Sequence, residues 1–297
     1  MSRASAARNG QSHGAATACV ALRDQRYIAL YIALPTSTFM PRPTMKPPRI
    51  ARTAALLCAL LLAGKAALAA DLTVSAASSL GNAFRDIARA YEAAHPDDRV
   101  QLNVGASGAL LQQLVRGAPV DVFASADPET MDEAIRQRVV LPADRHDFAG
   151  NTLVLVVPAG AARAPKTLAD LTQPAVQRVA MGNPASVPVG RYAKRALENA
   201  GLWPQVQPRV IHAQNARQSL DYVARGEVDA GFVFATDAGT MKDKVTVALH
   251  VALDRPITYP IAHTSSSAHT ESAKRFVAFV LSPTGQGLLA RHGFRKP

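Results

Sequence analysis

The sequence predicts an α/β fold with largely parallel sheets, and three observations carry that expectation. From residue 70 onward, strand-like and helix-like stretches alternate, the element order that builds parallel sheets. Leu80, Phe84, Ile87 and Tyr91 recur at spacings of four, three and four, which gives one apolar helical face. Residues 152–158, "TLVLVVP", are apolar without interruption, as a strand covered on both faces of its sheet requires.

The elements follow in order. Residues 72–76 read as a strand leading into the Leu80–Tyr91 stripe, which His95-Pro96 closes. Residues 100–104 form the next strand, and "GASGALLQQLVRGAP" is a loop and helix ended by Gly117 and Pro119. After a strand at 120–125, Asp127 is an N-cap, with Pro128 at the first helical position and Glu129 in the first turn. Beyond 152–158 the pattern repeats: strands at 179–182, 210–213 and 228–235, with helices from "PVGRYAKRAL" and from 216–225. "ITYPIAHT" is a final strand before helices at 271–281 and 284–291.

The first 69 residues do not enter that fold. "MKPPRIARTAALLCALLLAGKAALAA", from Met45, has a basic start, about eleven apolar residues and an Ala67-Leu68-Ala69 cleavage site, the pattern of a secretory signal peptide. The apolar run is too short to span a bilayer, which takes ~17–25 residues. Residues 1–44 read as an upstream start-site extension, residues 45–69 as the signal peptide cleaved near Ala69, and the expected location is the periplasm. Nine of the 33 Lys and Arg and one of the 22 acids precede residue 70, leaving 24 against 21, a net charge of +3. The high overall charge therefore belongs to the leader and gives no ground for nucleic-acid binding. Cys19 and Cys58 are lost with it, so no disulfide or Cys metal site is expected. The seven later histidines form no H-x-x-H spacing, which argues against zinc.

Four strand-to-helix junctions share one chemistry. They are Ala77-Ser78-Ser79-Leu80-Gly81, Gly105-Ala106-Ser107-Gly108-Ala109, Val187-Pro188-Val189-Gly190-Arg191 and Gln214-Asn215-Ala216-Arg217. Each combines small residues with a helix start whose first N–H groups lack intrahelical partners, at strand ends where α/β sheets bind ligands. A lone serine there is most often an N-cap. Several such junctions poor in charge point instead to a small anion held by neutral donors. Arg191, next to the third junction, reads as a solvated helix residue.

At these junctions the sequence resembles the periplasmic molybdate-binding proteins, the substrate-binding components of ABC importers. The resemblance rests on "AASSLGNA", "GASGALLQQLVRGAPVDVFASAD", "GNTLVLVVP", "AMGNPASVPVGRYAKRAL", "GFVFATDA" and "LSPTGQGLLARHGF", collinear from Asp71 to Phe294. It implies two α/β lobes, each a mostly parallel sheet flanked by helices, joined by a two-stranded hinge with the ligand cleft between them. Lobe 1 would comprise residues 70–150 plus 237–297 and lobe 2 residues 151–236, with crossings near 150–151 and 236–237. Ligand oxygens would meet the hydroxyl and N–H of Ser79 and Ser107 and the N–H groups of Val189 and Ala216. The family usually offers a tyrosine hydroxyl where this chain has Phe234.

Molybdate at neutral pH is a dianion without a proton, so every oxygen accepts, and a site of N–H and O–H donors alone suits it. Hydrogen phosphate would need an acceptor. The resemblance implies capture of molybdate and tungstate, delivery to an inner-membrane permease with its cytoplasmic ATPase, a monomer, no catalysis and no cofactor. Molybdenum would enter only as the oxyanion, with no direct protein ligand to the metal. Two alternatives stand beside it: a binding protein for another tetrahedral oxyanion such as sulfate, and a secreted hydrolase using Ser79 or Ser107. The hydrolase needs a histidine base near its serine, and the sequence offers no G-x-S-x-G elbow.

Overall fold

A computed structural model describes residues 70–297; the expected start-site extension and signal peptide lie outside the described residues. Ten strands form two five-stranded sheets. The first contains β1 (Ala70–Ala77), β2 (Asp98–Gly105), β3 (Val122–Ala124), β4 (His146–Asn151) and β10 (Ile257–His263), in the order β2-β1-β3-β10-β4. The second contains β5 (Leu153–Pro158), β6 (Val179–Gly182), β7 (Val210–Ala213), β8 (Ala230–Phe234) and β9 (Val245–His250), in the order β7-β6-β8-β5-β9.

The two sheets have equivalent layouts. In each, four strands run one way and the fifth runs against them: β10 in the first sheet, β5 in the second. Those two are the strands that have just crossed from the other lobe, at residues 151–153 and 251–256. The second crossing corrects the expectation of a boundary at 236–237. Val245–His250 pairs antiparallel with β5 from Val154 to Pro158, which keeps the chain in lobe 2 for another turn of the fold. Lobe 1 is therefore 70–151 with 257–297, and lobe 2 is 153–250.

The helices form where local chemistry favours them. In α1 (Gly81–Ala94), Phe84, Ile87 and Tyr91 are fully buried, with Leu80 just before them, and Phe84 and Tyr91 meet Phe276 of α8 (Thr270–Leu281) edge to face. The start of α2 (Ser107–Val115) has no side-chain cap. Asp127 caps α3 (Pro128–Arg136) by accepting from the Thr130 N–H at 3.1 Å, and Pro128 occupies the first position. In lobe 2, α4 (Pro188–Asn199) packs so closely on β6 that a Cβ on Gly190 would lie 1.8 Å from the Gly182 carbonyl oxygen. A short α5 (Trp203–Val206) precedes α6 (Ala216–Ala224), which Asn215 caps through the Gln218 N–H, and α7 (Ala235–Ala238) follows β8. Ser282 caps α9 (Pro283–Arg291).

Candidate anion-binding site

The carboxyl ends of β1, β2 and β3 in lobe 1 face those of β6, β7 and β8 in lobe 2, where α/β sheets hold ligands. One cavity between them is lined by Ser78, Ser79, Ala106, Ser107 and Ala126 from lobe 1 and by Val187, Pro188, Val189, Ala216 and Phe234 from lobe 2. All five residues that the sequence singled out therefore meet in one place. The cavity holds only about 10 Å³, close to the room one water needs. A larger groove of about 920 Å³ lies on lobe 2 beside residues 158–165 and shares none of these residues; its size reflects a shallow surface, whereas the small cavity gathers the donors.

Neither serine caps a helix. Ser107 is the first residue of α2, fully buried, and its Oγ accepts the Ala126 N–H at 3.0 Å. Its own hydroxyl proton is left to donate elsewhere. Ser79 sits in a 3₁₀ turn, Ser78–Leu80, ahead of α1, and its Oγ lies 3.0 Å from the Tyr259 hydroxyl. Val189 is the second residue of α4 and Ala216 the first of α6, and among the described residues neither N–H has a protein partner. These are the free N–H groups expected of a helix start, and both helix dipoles bring positive potential to the cavity. No histidine is hydrogen-bonded to Ser79 or Ser107 among the described residues.

Three arginines near the cavity are each paired with a carboxylate, and none of them lines its wall. Arg191, one residue past Gly190, reaches across the cleft to Asp127, with Nη2 2.6 Å from Oδ2, and donates to Thr130 Oγ1 at 2.6 Å. It is one-fifth exposed, and Asp127 is 3 % exposed. This corrects the reading of Arg191 as a solvated residue; the sequence could not reveal a partner 64 positions away. Arg195 pairs with Glu129 across the same boundary. On the other side Arg217 Nε lies 2.8 Å from Oδ1 of the fully buried Asp237, an ion pair without a well-aligned hydrogen bond to either carboxylate oxygen among the described residues. Burial pushes the Asp237 carboxyl up to about 6, against the pull of Arg217. Backbone approaches too: the Gly108 N–H donates to Ser186 O at 3.0 Å, and a Cβ there would sit 2.7 Å from that oxygen.

Phe234 brings no side-chain donor to the cavity it lines. It packs against Tyr259 (5.6 Å between centroids) and Tyr192 (6.3 Å). Tyr259 is fully buried and absent from the cavity wall, touching it only through Ser79. Sequence reading missed Tyr259, whose only local signal is an aromatic residue in an apolar strand.

Two facing α/β lobes with a donor-lined cleft define a ligand-binding protein, and comparison with known proteins agrees. The chain belongs to the bacterial extracellular solute-binding protein family, whose model matches residues 72–295. It is 32 % identical over 228 residues to the molybdate-binding protein ModA of Escherichia coli, covering 75 % of this chain and 88 % of that one. It is 34 % identical over 225 residues to a putative ABC transporter substrate-binding lipoprotein of Bacillus subtilis, YvgL, covering 75 % and 85 %. Among solved structures, the substrate-binding domain of a putative molybdenum ABC transporter from Clostridium difficile superposes with a TM-score of 0.59 at 32 % identity, covering 77 % of this chain and 99 % of that one.

Proposed function

We propose that this protein captures molybdate, and tungstate with it, outside the inner membrane and delivers it to an ABC permease driven by a cytoplasmic ATPase. The observation that carries the reading is the polarity of the cavity. Two serine hydroxyls and two unpartnered helix N–H groups converge where, among the described residues, no cation and no carboxylate lines the wall. Such a site satisfies an oxyanion whose oxygens only accept. It gives nothing to the proton of hydrogen phosphate.

The same geometry supports an assignment of binding residues. Ser79 and Ser107 hold the anion from lobe 1, Val189 and Ala216 from lobe 2, and Phe234 closes the wall. A hydrogen bond to a charged group contributes ~1.5–3 kcal/mol, so about four to six of them support useful affinity even after association costs of ~4–15 kcal/mol. The similarity to ModA of Escherichia coli and to the Clostridium difficile domain supports molybdenum as the cargo. The leader supports a periplasmic location.

Thermal melts of ligand-stripped protein with molybdate, tungstate, sulfate or phosphate test the proposal, because a ligand raises the melting temperature in proportion to its occupancy of the folded state. Upward shifts with molybdate and tungstate and none with phosphate are expected. A larger shift with sulfate would reassign the cargo.

A further inference from the structure

Behind Ser79 runs a chain of hydrogen bonds whose direction can be worked out atom by atom. Asn151, the last residue of β4, accepts the Thr152 N–H on Oδ1 at 2.9 Å, which fixes its amide orientation. Its Nδ2 therefore donates, to Tyr259 Oη at 3.1 Å and to Thr236 Oγ1 at 2.9 Å. Tyr259 accepts from Asn151 and keeps its own proton, for which Ser79 Oγ at 3.0 Å is the one remaining partner among the described residues, so the direction Tyr259 to Ser79 leaves no buried proton unsatisfied. Ser79 thus accepts from the protein and has its own proton left for the cavity it lines.

We propose that Asn151 and Tyr259 are positioning residues that turn the proton of the Ser79 hydroxyl into the cavity, and so help select fully deprotonated oxyanions. The inference rests on the reading of the cavity as an oxyanion site. Tyr259 suits this role because burial, reinforced by the negative charge of Asp237, holds its hydroxyl protonated far above any working pH. Ser107 reaches the same polarity by a shorter route, through the Ala126 N–H. Asn151 also stands at the first crossing between lobes, and its second N–H is held by Thr236, just past β8. The relay is therefore anchored on both sides of the cleft. It gives a buried tyrosine a part in recognition although Phe234 brings no hydroxyl to the wall.

Removing the Tyr259 hydroxyl leaves Ser79 free to turn. Reversing the relay is also feasible: in Asn151→Asp a carboxylate would accept the Tyr259 proton, Tyr259 would accept from Ser79, and Ser79 would face the anion as an acceptor. The test is calorimetric titration of wild type, Tyr259→Phe, Asn151→Asp and the double variant with molybdate, tungstate, sulfate and phosphate, each variant checked for a cooperative melt. Tyr259→Phe is expected to weaken the preferred anion by roughly 3- to 10-fold and to narrow its preference over phosphate. Asn151→Asp is expected to weaken it further, by less when Tyr259 is already Phe. Unchanged affinity and selectivity in Tyr259→Phe, or strictly additive effects, would overturn the relay. A wild type that binds none of the four anions would instead refute the proposed function. The relay would then be judged on the Tyr259 hydroxyl proton in NMR spectra. A slowly exchanging resonance lost in Tyr259→Phe and shifted in Asn151→Asp supports it, and the lack of one overturns it.

Discussion

Asp127 serves both lobes at once: Oδ1 caps its own helix at the Thr130 N–H, while Oδ2 holds Arg191 of the opposite lobe at 2.6 Å. The pair exists only while the lobes are closed, and opening returns both charges to water. Truncating one member of a buried charge pair acts mainly on dissociation and costs ~2–5 kcal/mol. Arg191→Gln is therefore expected to speed ligand release by roughly 10-fold or more while leaving the on-rate within about a factor of three. Stopped-flow kinetics read both rates, and an unchanged off-rate would show that the pair does not hold the cleft shut.

The two serines should differ in what their loss does to the empty protein. Ser79→Ala and Ser107→Ala are each expected to weaken molybdate by about 10- to 150-fold, the worth of one charge-assisted bond. Ser107→Ala also strands the buried Ala126 N–H, at a further ~1–3 kcal/mol of stability. Calorimetry gives the first effect and denaturant melts of the ligand-free protein the second.

Phe234 offers the converse experiment. Its ring lines the cavity from the lobe 2 side, fully packed against Tyr259 and Tyr192. Phe234→Tyr adds a donor at that wall and is expected to tighten molybdate by about tenfold, measured by competition titration.

Asp237 makes the stability of the ligand-free protein depend on pH. Its carboxyl, ordinarily near 3.8, titrates at about 6 in the fold because it is buried. The folded state thus holds a proton that the unfolded chain has released. The resulting stability is complete below about pH 3.8 and is lost as the pH rises through about 6, a change on the order of 2–3 kcal/mol. Asp237→Asn removes that dependence. The gap between variant and wild-type melting temperatures should widen from pH 4.5 to 7.5 in the variant's favour, and a constant gap would contradict the assignment.

The sequence made some of this legible and hid the rest for physical reasons. Alternation of strands and helices exposed the α/β class, and the Asp127 cap could be read because its partners lie three residues away. The donor junctions were visible because a small residue before a helix start is a local signal. β9 escaped notice as an edge strand: Val245, Val247 and Leu249 alternate with Thr246, Ala248 and His250, but only Val245 is buried. The crossing expected at 236–237 came from the family resemblance, and that weak pattern gave no local signal against it. Contacts between distant residues were out of reach altogether. Ser79 meets Tyr259 across 180 positions and Asn151 meets it across 108, and only the closed sheets bring them together.

Whether the cavity selects an oxyanion by donor polarity is tested most directly by isothermal titration of protein unfolded and refolded to strip any ligand, against molybdate, tungstate, sulfate and phosphate in turn. The expected result is one-to-one binding of molybdate and tungstate with phosphate silent and sulfate far weaker. Phosphate binding as tightly as molybdate would contradict it, because a donor-only wall has nothing to accept the phosphate proton.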